Sequence, residues 1–265
     1  MTGGRLSGAL RRHLIRLLLC IGKDSWLAGN GKRVMTRRPF LISGILGLGA
    51  VVMTLIFNLV GPQPAAPLPH GFITPVLAFE FARDEADVAA IFAHQGQPAA
   101  DVRASMDRLN RLDFLYIGLY GGCLIAFALT CARLSGQRVY TVAAILAVAV
   151  MAADVLENLQ LLGITRELGV TSIDDNLAWL RLFTWLKWGG LALWFLLVRP
   201  WFQGQTGWVR AIGLAALLPL LLAVVAFIRP GLASELFALS IGVLFLLLTV
   251  YALRFQLPAS AAAPA

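Results

Sequence analysis

The chain has little charge. Only 14% of its 265 residues are Asp, Glu, Lys or Arg, where a soluble domain carries about 25%. That scarcity excludes an ordinary water-facing surface. Cysteine is nearly absent too: Cys123 and Cys131 share one apolar segment and Cys20 stands alone, so neither a disulfide framework nor a thiolate metal site is suggested. His13, His70 and His94 all lie outside the long apolar runs, which excludes bis-histidine haem ligation within those runs. No Walker loop, Gly-x-Ser-x-Gly elbow or His-Glu-x-x-His pair occurs. The pattern calls for no cofactor and no metal.

What fills the chain is apolar: 59% of the residues, with a mean hydropathy of +0.78. Six windows, 40–60, 112–132, 139–162, 177–198, 209–228 and 232–253, reach the roughly 20 residues a helix needs to cross about 30 Å of hydrocarbon. Pro219 falls in the fifth, where a membrane helix tolerates a kink. The expected fold is an all-α polytopic membrane bundle of six transmembrane helices with a short helical extracytoplasmic cap.

The net charge of +8 does not point to a nucleic-acid partner, because nine of the 22 basic residues lie before Pro39. They read as a cytoplasmic flank. With the N-terminus inside, inner segments hold 14 Lys and Arg against six outside. The positive-inside rule therefore places both termini in the cytoplasm of a bacterial inner membrane. Trp201 and Trp208 flank the inner loop between the fourth and fifth spans, where interfacial tryptophans belong.

The organisation expected is a basic N-terminal segment (1–38), the first span (39–61), the cap (62–111), a polar core of spans two to four (112–198), and a less polar extension with the C-terminal tail (199–265). Arg16 interrupts the apolar run 14–21, leaving it too short to span or to serve as a signal-peptide core. Residues 1–34 are either a basic amphipathic helix on the inner membrane face or upstream of a natural start at Met35. The latter opens the chain on Met-Thr-Arg-Arg-Pro, and is favoured.

The cap begins with prolines at 62, 64, 67 and 69, which exclude a helix. Asp84 and Asp87 precede Val88, Ile91 and Phe92 as a helix start would. Gly96 ends that helix and Pro98 suits the first turn of the next. Val102, Met106, Leu109 and Leu112 recur at helical spacing, so the second membrane helix begins well outside the bilayer. Glu80 interrupts the apolar strip 76–81; its ordinary reading is a solvated helix face, and its alternative is a carboxylate turned toward the bundle.

Polar residues inside the spans carry the functional expectation. Asp154, Glu157 and Asn158 fall at i, i+3 and i+4, on one side of the third membrane helix. By helical rise Glu157 and Asp154 lie about 8 and 12 Å below its outer end, and Arg181 and Lys187 of the fourth lie about 6 and 15 Å below the same surface. Matching depths predicts Glu157 with Arg181 and Asp154 with Lys187 across two antiparallel neighbours. Asp113, Tyr116 and Tyr120 form a third polar face at i, i+3 and i+7 of the second span, although tyrosine near an interface is more often an anchor. Ser43 with Gly47 and Gly118 with Gly122 are small-residue pairs that permit close helix approach.

Phe79-Glu80-Phe81-Ala82, Leu112-Asp113-Phe114-Leu115-Tyr116, Asp154-x-x-Glu157-Asn158 and Leu186-Lys187-Trp188, in that order, resemble a family of small multi-pass bacterial inner-membrane proteins. The resemblance covers about residues 39–198. It implies a membrane location and carries no activity, so it assigns no catalytic role.

Three functions fit. The first is binding or translocation of a small ion or polar solute in a pocket of Asp113, Tyr116, Asp154, Glu157, Asn158, Arg181 and Lys187, with Glu80 a candidate from the cap. The second is a membrane-embedded enzyme acting on a lipid, a carboxylate serving as base and Arg181 or Lys187 holding the head group. The third is a structural or regulatory subunit whose ion pairs only dock the helices. Beyond the lipid bilayer, the partners compatible with these charges are a small ion, a polar solute or a lipid head group.

Overall fold

The computed structural model describes residues 37–62, 67–93 and 99–257. Within them the chain forms α1 (Leu41–Val60), a 3-10 turn (Pro69–Gly71), α2 (Pro75–Glu80), α3 (Glu85–Ala93), α4 (Ala99–Ser135), α5 (Arg138–Glu167), α6 (Asp174–Gln203), α7 (Trp208–Ala215), α8 (Leu218–Ile228) and α9 (Leu232–Arg254). No strand occurs among the described residues. α1, α4, α5, α6, the α7–α8 stretch and α9 are long and apolar enough to cross a membrane. The protein is an all-α polytopic membrane bundle. The expectations for residues 1–36, and those for Gly96 and Pro98, lie outside the described residues.

The six spans pack in chain order as a ring. α1 packs on α4, α4 on α5, α5 on α6 and α6 on α7 and α8, while α9 packs on α8 and returns to α1. Ile42, Ile45, Leu48, Val52, Leu55 and Leu59 of α1 stay exposed, an apolar face that only lipid covers at no cost. Close approach across the ring uses small residues. Ser43 donates to the carbonyl of Cys123 at 3.0 Å, and a Cβ at Gly47 would meet the Thr249 side chain of α9. Gly118 faces open space, and Gly121, against Met151, is where α4 and α5 come close.

α4 is 37 residues long, about 55 Å at helical rise, so it projects well beyond a bilayer. Its early part, with α2 and α3, buries Phe79, Phe81, Val88, Ile91, Phe92, Val102 and Met106 against Leu161, Ile164, Leu177 and Leu180 of α5 and α6. This end of the bundle is the cap end. At the far end Phe40, Phe127, Phe202 and Tyr251 close the ring interior. Phe127 lies 4.8 Å from Phe40 and 5.7 Å from Phe202 between ring centroids.

The window 209–228 forms two helices rather than one kinked one. α7 ends at Ala215, four residues before Pro219, where the proline ring collides with the i−4 carbonyl and supplies no N–H. The cap is tied to α9 at Glu235, whose carboxylate accepts the Ile73 and Thr74 amides at 2.9 and 2.7 Å and the Thr74 hydroxyl at 2.8 Å. Gly231 has φ +94° and sits against the His70 carbonyl, where a Cβ would not fit.

Candidate functional site

The i, i+3, i+4 spacing turns Asp154, Glu157 and Asn158 of α5 into the ring, and all three are buried. On α6 the same spacing aligns Thr184, Lys187 and Trp188. The Lys187 ammonium reaches Asp154 Oδ1 at 3.4 Å and is paired with Glu157 Oε2. It also reaches Glu80 Oε1, at the end of α2, at 3.2 Å. One cation is shared by three carboxylates.

Each carboxylate has a further donor, as buried charge requires. Tyr120 donates to Asp154 Oδ2 at 2.6 Å, the Thr184 hydroxyl donates to Glu157 Oε1, and the Trp188 indole donates to Glu80 Oε2 at 2.9 Å. Asn158 donates to Asp113 Oδ2 at 2.7 Å, which brings a fourth carboxyl to the group. Lys187 also lies 5.2 Å from the Trp188 ring centroid, within cation–π range. Four carboxyl groups share one ammonium in a region nearly closed to water.

Arg181 is not in this cluster, so the expected Glu157–Arg181 pair does not form. Six residues along a helix rotate a side chain by about 240°, which turns Arg181 away from the face that carries Lys187. Its Nη2 instead donates to the Arg83 carbonyl at 3.4 Å. Tyr116 packs against Tyr120 with the rings tilted and their centroids 5.2 Å apart, and its hydroxyl accepts from Thr54 at 3.5 Å without reaching a carboxylate. Glu80 is turned into the bundle, its side chain 12% exposed. Thr184 and Trp188 were not singled out by charge, although both lie within a turn of Lys187.

Beside the cluster is a cavity of about 250 Å³ lined by Glu80, Phe81, Ala82, Arg83, Arg181, Thr184, Trp185, Ala226, Phe227 and Pro230. Glu80 and Thr184 belong both to its wall and to the cluster. Among the described residues no group of His, Cys, Asp and Glu is arranged to hold a metal ion. Comparison of the chain with protein-family models, with curated proteins and with solved structures finds no match.

Proposed function

We propose that the protein binds a small ion or polar solute in this cavity and moves protons across the membrane through the carboxylate–lysine cluster. The observation that carries the reading is the double membership of Glu80 and Thr184, which puts a bound solute one side chain from Lys187, Asp154 and Glu157. Surplus carboxyl groups in a low-dielectric site favour uptake of a positive charge, and a proton is the smallest one. The charge distribution supports an orientation with both termini in the cytoplasm of an inner membrane and the cap outside. The Phe40, Phe127 and Phe202 packing closes the far end, so binding needs no rearrangement and passage needs those rings to part.

Proteoliposomes containing a pH-sensitive dye test this. The wild-type protein dissipates an imposed pH gradient faster than protein-free vesicles, and the folded Asp154→Asn, Glu157→Gln double variant does not. No difference between wild type and empty vesicles would sink the proposal.

A second reading is a structural lock between α5, α6 and the cap, favoured by the partner found for every carboxylate of the cluster. On that reading the folded double variant behaves as the wild type in every functional assay.

A further inference from the structure

We infer that the cavity binds a phosphate group, carried by a membrane lipid or free in solution, through Arg83 and Arg181. This deepens the reading of the cavity as a ligand site and names the chemistry it takes. Both arginines line the cavity, and neither enters an ion pair among the described residues. Arg181 spends one N–H on the Arg83 carbonyl, and a guanidinium has five. Two arginines bordering one cavity, each with guanidinium donors to spare, are the usual means of holding phosphate oxygens. The one acid in the wall does not oppose this, because Glu80 is already engaged by Lys187 and Trp188.

Apart from Thr184, the remaining wall is apolar, and Phe227 at its edge reaches the outer surface. Trp185 and Phe227 have ring centroids 5.1 Å apart, and Phe227 is 68% exposed on the outside of the ring. Ala226, Phe227 and Pro230 straddle the end of the α7–α8 span at Ile228. The cavity therefore lies at the depth where a membrane-length helix ends, and that is the depth of lipid head groups. A phosphate on the arginines with glycerol or acyl carbons against Trp185 and Phe227 satisfies both walls.

The test uses the full chain in an uncharged, phosphate-free detergent, with two probes. Phosphatidylglycerol binding is followed by native mass spectrometry, and inorganic phosphate binding by tryptophan fluorescence, since Trp185 lines the cavity. Removing a charge-assisted hydrogen bond weakens binding about tenfold, so Arg83→Gln and Arg181→Gln are each expected to lose about that factor. Arg166→Gln, whose guanidinium pairs with Glu167 instead, is expected to bind as the wild type; melting temperatures confirm folding. Binding of the lipid alone identifies a lipid-borne phosphate, and binding of both probes shows that the free anion suffices. Binding of neither, or binding indifferent to the two cavity arginines, overturns the inference. Neither probe needs a pH gradient, so absent proton flux would count against the proposed function and leave this result standing.

Discussion

Lys187 and Glu80 meet at 3.2 Å although 106 residues separate them in sequence. One stands near the middle of the membrane-length α6, the other ends the six-residue α2 of the cap. The contact joins the buried cluster of the bundle to the cap that covers it. Whatever disturbs the cap is thereby felt at Asp154 and Glu157, which share the same ammonium.

Lys187 is the group whose removal costs most. Lys187→Met leaves three carboxylates around an empty centre, and breaking a buried pair from one side costs about 3–5 kcal/mol. A large fall in melting temperature in nanodiscs is expected. Adding Asp154→Asn and Glu157→Gln to Lys187→Met removes two of the three carboxylates left without their cation, Glu80 being the third, and recovers part of the loss. A triple variant less stable than the single one would show that the cluster is not held together by charge balance.

The two tyrosines of α4 differ in what they touch. Tyr120→Phe deletes the 2.6 Å bond to Asp154 and is expected to destabilise by about 1.5–3 kcal/mol, the range for a hydrogen bond to a charged group. Tyr116→Phe deletes only a 3.5 Å contact with Thr54, and its melting curve should match the wild type. Equal effects of the two substitutions would contradict the assignment of Tyr120 to the cluster.

The cap depends on two residues of the turn into α9. Gly231→Ala places a side chain at φ +94° against the His70 carbonyl, and Glu235→Ala strips three hydrogen bonds from the start of α2. Loss of a hydrogen bond to a charged group costs about 1.5–3 kcal/mol. In both variants hydrogen exchange should rise across Pro75–Glu80 and Glu85–Ala93 while α1 stays protected. Unchanged exchange in the cap would mean that these contacts do not hold it.

The membrane bundle was legible because a span has few ways to be written: about 20 apolar residues, bounded by charge. Asp154, Glu157, Asn158 and Lys187 were legible for a related reason, since charge in a span is conspicuous and the i, i+3, i+4 spacing fixes its side. Partner choice was legible in part: Asp154 does meet Lys187, at 3.4 Å, while Glu157 takes the same lysine instead of Arg181. Depth alone matched Glu157 with Arg181, but depth says nothing of azimuth, and the turn between Arg181 and Lys187 decides the pairing. Thr184 escaped notice because a hydroxyl in a helix satisfies itself on its own backbone at little cost. Glu80 sits in a helix too short to announce its face, and only the packing of Phe79 and Phe81 against α5 and α6 turns it inward. Pro219 was visible, but whether a proline bends a helix or breaks it in two within a span depends on neighbours far away in the sequence.

The most direct measurement is cryo-electron microscopy of the full chain in nanodiscs made from its native lipids. A site open to a ligand predicts non-protein density in the cavity beside Arg181 and Thr184, with ordered water or a bound group in contact with Glu80. A cavity collapsed between Trp185 and Phe227, with Lys187 and its three carboxylates sealed and dry behind it, would contradict the proposed function and leave the cluster as a lock between helices.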